Sequence, residues 1–120
     1  MATQKFERVS TTLQTTDGAE TTILTYAFPD ESVCIFECRV CGLKNDGSAG
    51  AGFLVEATVR RTGGGDVALV SSTKVVEHKD DPAYDAAMSV SGSNVLITVT
   101  GKASETINWM LYGSGIVYTP

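Results

Sequence analysis

The sequence predicts an all-β fold, a single antiparallel β-sandwich of about eight strands. Short runs in which apolar and polar residues alternate recur from Phe6 to Tyr118, at the roughly 8–12-residue spacing that marks an all-β sandwich or barrel. Turn chemistry separates them at Thr16-Asp17-Gly18, Pro29-Asp30, Lys44-Asn45-Asp46-Gly47, Gly63-Gly64-Gly65-Asp66, Asp80-Asp81-Pro82, Ser91-Gly92-Ser93-Asn94 and Gly101-Lys102. No window sustains the apolar period of a helix. Thr, Val and Ile are abundant, and these side chains fit a pleated surface.

The runs follow in order. Phe6 to Thr15 alternates weakly and reads as an edge strand or a packed arm. Thr22, Leu24, Tyr26 and Phe28 share a face of the next run. In the third, Cys34, Phe36, Cys38 and Val40 face one way while Glu37 and Arg39 face the other. Phe53, Val55, Ala57 and Val59 alternate with Leu54, Glu56, Thr58 and Arg60, the clearest strand in the chain. Val67 to His78 changes phase, which places a bulge near Ser71-Ser72. Tyr84, Ala86, Met88 and Val90 face Val95, Ile97 and Val99 across a Gly-Ser-Asn turn, as in a hairpin. Ile107, Trp109 and Leu111 oppose Asn108, Met110 and Tyr112, and Gly113-Ser114-Gly115 reads as a hinge before Ile116-Val117-Tyr118. The expected core is Phe36, Phe53, Val55, Val59, Met88, Val90, Val95, Ile97, Val99 and Trp109.

At 120 residues the chain fits one domain, residues 1–120, with short arms at 1–5 and 116–120. The hydrophobic share of 42% is that of a globular chain. Fourteen acidic against nine basic residues give a net charge of −5, where a nucleic-acid binder carries a basic excess. No apolar run approaches the roughly 20 residues that span a bilayer. Met1 to Lys5 lacks a hydrophobic signal core. The expectation is therefore no nucleic-acid partner, no membrane partner and synthesis in a cytoplasm.

Few constellations carry chemistry. Cys34, Cys38 and Cys41 are three, an odd number clustered within eight residues, which argues for reduced thiols. On a strand, Cys34 and Cys38 stand about 13 Å apart and Cys41 faces the opposite side, so they read as small apolar side chains and not as zinc ligands. The acidic turn Glu77 to Asp85 lacks the spacing of an EF-hand loop and reads as a solvated turn, with a bound cation left open. His78 is the one histidine, and no G-x-S-x-G elbow is present. No pair of carboxylates stands out as a glycosidase pair. Gly63-Gly64-Gly65 is followed by a strand and not by Lys-Ser/Thr and a helix, so it is no phosphate loop. Trp109 reads as a core aromatic, with stacking on a sugar the alternative that it shares with Tyr112. The reading is of no catalytic residue, no metal and no cofactor.

Six stretches, in their order and spacing, resemble a group of small β-structured virion proteins and domains of tailed bacteriophages. They are Thr15-Thr16-Asp17-Gly18-Ala19-Glu20-Thr21-Thr22-Ile23, Phe28-Pro29-Asp30-Glu31-Ser32-Val33, Arg60-Arg61-Thr62-Gly63-Gly64-Gly65-Asp66-Val67-Ala68-Leu69-Val70, Asp80-Asp81-Pro82-Ala83-Tyr84-Asp85-Ala86, Val95-Leu96-Ile97-Thr98-Val99-Thr100-Gly101 and Ile107-Asn108-Trp109. The resemblance implies a jelly-roll-like sandwich used as a head decoration protein or as part of a tail or fibre, commonly as a trimer. A short chain beginning at Met1 is expected to be a whole protein added to a shell. The first expectation is thus a non-enzymatic capsid decoration (cement) protein of the virion, assembled in the bacterial host cytoplasm. Its partners would be itself, as a homotrimer, and the major capsid protein. The alternative is a tail, fibre or receptor-binding module contacting a host surface glycan. Phe6, Ile116, Val117 and Tyr118, more apolar than free ends should be, are the expected interface residues.

Overall fold

Each alternating run becomes a strand in the computed structural model, which describes residues 2–120. The strands are β1 (Thr3–Thr15), β2 (Glu20–Ala27), β3 (Ser32–Lys44), β4 (Gly50–Arg61), β5 (Val67–Lys79), β6 (Asp85–Ser91), β7 (Asn94–Thr100) and β8 (Ile107–Thr119), with no helix among the described residues. They form two antiparallel sheets, one in the order β1-β8-β3-β4-β5 and the other β2-β7-β6. The eight-strand, all-β sandwich expected from the alternation is what the structure shows. The pairs β1–β8 and β2–β7 join strands distant in sequence, while β3–β4–β5 and β6–β7 close as consecutive hairpins. The strands therefore divide five and three. Three hairpin turns use a glycine at positive φ, Gly47 at 78°, Gly64 at 72° and Gly92 at 56°, where a Cβ would be strained.

Between the sheets lie the inward residues of each strand. Of the ten expected core residues, nine are buried and Val90 is partly buried. Phe28, Tyr84, Ile107, Leu111 and Val117 join them. Trp109 ties the layers together. It pairs with Gly42 across β8–β3, and a Cβ on Gly42 would sit 2.6 Å from two atoms of the indole ring. Its ring meets Tyr84 edge-on at 6.4 Å and lies 6.5 Å from Phe53. Its Nε1 donates to the hydroxyl of buried Thr15 at 3.0 Å, so the polar end of the largest buried side chain is satisfied.

Two readings of the chain ends are corrected. Gly113-Ser114-Gly115 is no hinge: β8 runs unbroken through it, paired with β1 on one side and β3 on the other. The glycines are there for space, since a Cβ at Gly113 would stand 3.0 Å from Cys38 Sγ and one at Gly115 would stand 2.7 Å from the Ile35 carbonyl. The expected arms are strand ends, with Thr3 paired to Thr119 and Lys5 to Val117; Met1 lies outside the described residues. The irregularity expected near Ser71-Ser72 resolves into two shifts, which leave Val70 and Val75 of β5 without partners in the β4 register.

Trp109→Ala should destabilise the fold by about 3–5 kcal/mol. Gly42→Ala should cost about 1–3 kcal/mol by overpacking against the ring. Because the clash disappears with the indole, the double variant should lose clearly less than the sum in urea denaturation. Additive losses would show that Gly42 does not seat the ring.

Candidate functional site

The outward side of the large sheet is where the fold leaves apolar side chains unused. Register sets them in rows across β1, β8, β3 and β4. Phe6, Ile116, Ile35 and Thr58 make one row, with Gln4, Tyr118, Val33 and Arg60 beside it. Below lie Arg8, Ser114, Glu37 and Glu56, then Ser10, Tyr112, Arg39 and Leu54, then Thr12, Met110, Cys41 and Gly52. Phe6 and Ile35 are each 59% exposed, Ile116 53% and Tyr118 38%. A shallow apolar notch lies over Gly52, walled by Cys41, Leu54, Val76, Met110 and Tyr112. The small sheet offers a different surface. Its outward residues are mostly short or polar, such as Thr22 and Thr25 on β2 and Ala87 and Ser89 on β6.

Three of the four expected interface residues thus share one face, two rows deep. The fourth, Val117, does not. It is 2% exposed and points into the core, because unbroken alternation gives it the phase of Trp109 and Leu111. Sequence reasoning missed Val33 and Ile35, which complete the patch from β3. Their signal was visible: Val33 and Ile35 flank inward Cys34 where an outward polar residue would be usual.

The other candidates have local explanations. Cys34 and Cys38 face the core, whereas Cys41 is exposed on the opposite face. Burial pushes the Cys34 thiol up to about 12 and Cys38 to about 11. In the acidic turn, Asp81 accepts from Lys102 Nζ at 2.7 Å and from the Ala83 amide at 2.9 Å. These donors hold its carboxyl below the usual range, with the lysine contributing most. Asp80 accepts from the Gly50 amide at 2.8 Å, and Lys74 bridges Glu77 and Asp85. The carboxylates a cation would need are already engaged. Gly64 donates its amide to Asp30 at 2.9 Å, and Arg61 reaches the Phe28 carbonyl at 2.8 Å, so the glycine-rich turn is buckled to its neighbour.

One carboxylate pair does emerge. Glu37 and Glu56 are direct cross-strand partners on the outer face, an arrangement that repels. Arg39 sits 2.8 Å from Glu37 and offsets part of this. Both acids lie on an open sheet surface, without the enclosing pocket that raises one carboxyl of a glycosidase pair into a general acid. The pair suits an incoming cationic side chain.

No family model and no curated protein matches the chain. Among solved structures it is similar to the tailspike protein gp49 of Acinetobacter baumannii bacteriophage Fri1, a capsular polysaccharide depolymerase. The identity is 19% and the TM-score 0.57, over 98% of this chain and 18% of that one. It is also similar to the tailspike protein of Acinetobacter baumannii phage AM24, at 10% identity and a TM-score of 0.50, over 99% of this chain and 26% of that one. At these identities the likeness shows the fold. The chain spans only a minor part of either protein's length.

The buried acids set the alkaline behaviour. Burial and the neighbouring Glu105 carboxylate, whose Oε1 accepts from Tyr84 at 2.7 Å, raise the Tyr84 phenol to about 12. Burial, with Glu7 nearby, does the same for Tyr26. The fold holds these groups and the two inward thiols in their neutral forms. Their contribution is therefore complete below about pH 9, where unfolded thiols begin to ionise, and is lost as pH rises through 11 and 12. Denaturation midpoints should fall progressively above pH 9. Below that, a thiol reagent should label only Cys41 in the folded chain. Fast native labelling of Cys34 or Cys38 would contradict their burial.

Proposed function

We propose that the chain is a non-catalytic β-sandwich module of a bacteriophage tail, working in a spike or fibre assembly of the virion. The observation that supports this is the likeness of nearly the whole chain to segments of two phage tailspikes. Capsid decoration, the first expectation from the sequence, gains no support from these likenesses; the tail or fibre alternative does. The depolymerase activity belongs to the Fri1 protein as a whole, of which this fold matches 18%.

The non-catalytic reading rests on the site. The paired Glu37 and Glu56 stand on an open face, His78 is exposed, and among the described residues no three metal-ligating side chains converge. A rigid sandwich with short turns suits a mechanical part, because it loses little conformational freedom when it docks.

Gold-labelled antibody against the chain should mark tails in phage particles and in purified tail fractions. The purified chain should release no reducing ends from host capsular polysaccharide. Labelling spread over head shells would return the assignment to decoration, and turnover of polysaccharide would overturn the non-catalytic reading.

A further inference from the structure

Charges of both signs, Arg8, Arg60 and Glu56, stand unpaired on the outer face of the large sheet. Glu56 makes no ion pair among the described residues, and neither does Arg8, whose guanidinium rests 5.1 Å from the centre of the Phe6 ring. Arg8 and Glu56 share one row, Arg8 on the edge strand β1 and Glu56 on β4, with Ser114 and Glu37 between them and Thr73 of β5 beyond Glu56. A rotation axis parallel to the strands leaves the height of every residue unchanged. It therefore carries Arg8 of one copy to the level of Glu56 in the facing sheet of the next. Ile116 of β8 and Ile35 of β3, also level with each other, then meet at the centre.

Gly52 points the same way. Of the twelve glycines, it alone combines ordinary backbone geometry with open space around an added Cβ. Neither turn geometry nor packing inside the chain calls for glycine there, and glycine weakens a strand interior. What remains is close approach from outside. Thr12 on the edge strand β1 is level with Gly52 on β4, whose further neighbour is His78 of β5, so an axis that sets β1 of one copy against β4 of the next also brings that β1 over the notch.

The size fits. Four strands of about a dozen residues present roughly 800 Å² at the usual strand rise and spacing. A standard interface buries about 800 Å² per partner. In two neighbouring rows Arg8 and Arg39 stand with Glu37 and Glu56 on a face that is otherwise largely apolar, so the surface carries both signs that a copy of itself would need.

We infer that the outer face of β1-β8-β3-β4 is an interface between copies of this chain, closed about an axis along the strands, with Arg8 of one copy against Glu56 of the next. The inference is independent of the tail assignment, because it concerns the purified chain alone.

Sedimentation velocity on the full chain at low ionic strength should show a closed assembly of two or three copies. Arg8→Glu and Glu56→Arg should each weaken it at least about tenfold by setting like charges together. The variant carrying both should recover wild-type association. Gly52→Val should keep or raise the melting temperature and still weaken association at least about tenfold, which separates contact from folding. A monomer throughout the accessible concentration range overturns the inference. So do single charge reversals without effect, a double reversal that does not recover, or an assembly indifferent to Gly52→Val.

Discussion

The fold depends on Trp109 lying flat over Gly42. A tryptophan is too large for most positions between two sheets packed about 10 Å apart. Here the facing residue on β3 gives up its side chain, and the indole fills that space. The consequence spreads through neighbouring elements. Thr15, the last residue of β1, supplies the indole's acceptor, and Gly101 leaves room for that hydroxyl, since a Cβ there would approach it to 2.7 Å. Tyr84 meets the ring edge-on, while its own hydroxyl is held by Glu105. One side chain thus fixes the end of β1, the entry to β6, the loop before β8 and the spacing of β8 from β3. The same exchange of large for small recurs along β8, where Gly113 lies against Cys38 and Gly115 against Phe36.

Much of this was legible because alternation is a local signal. Val95, Ile97 and Val99 need no knowledge of their partners to be read as inward, and the buried faces of β3, β4 and β7 follow from period two alone. The glycines of β8 were misread for the opposite reason. In isolation Gly113-Ser114-Gly115 is turn chemistry. What makes it strand is contact with Cys34, Phe36 and Cys38, far off in the sequence. That misreading made the last residues an arm and gave Val117 an outward role, although an unbroken strand turns it inward. The candidate site was half legible. Phe6, Ile116 and Tyr118 stood out as surplus apolar residues, but their assembly with Val33 and Ile35 into one patch is a fact of register, and register between β1, β8 and β3 is not written in any one segment.

The two outer surfaces of the sandwich make the patch informative. A sheet facing water reads polar outward, and the small sheet does so with Thr, Ser and Ala. The large sheet breaks that rule repeatedly, among other places at Val33-Cys34-Ile35-Phe36, Trp109-Met110-Leu111-Tyr112 and Ile116-Val117-Tyr118, where apolar residues occupy both phases. Continuous apolar runs are the pattern of strands covered on both faces. Single exposed apolar residues are ordinary on any protein surface. These breaks are not single: Val33 is in register with Tyr118, Ile35 with Ile116, and Phe6 of the edge strand with Ile116 again. Three strands, distant in sequence, depart from alternation at the same height. Core packing of the isolated chain does not call for that coincidence, since the residues concerned point away from its core and gain only modest cross-strand contacts. The inferred second copy over the same rows would account for it, and for the unpaired charges one row below.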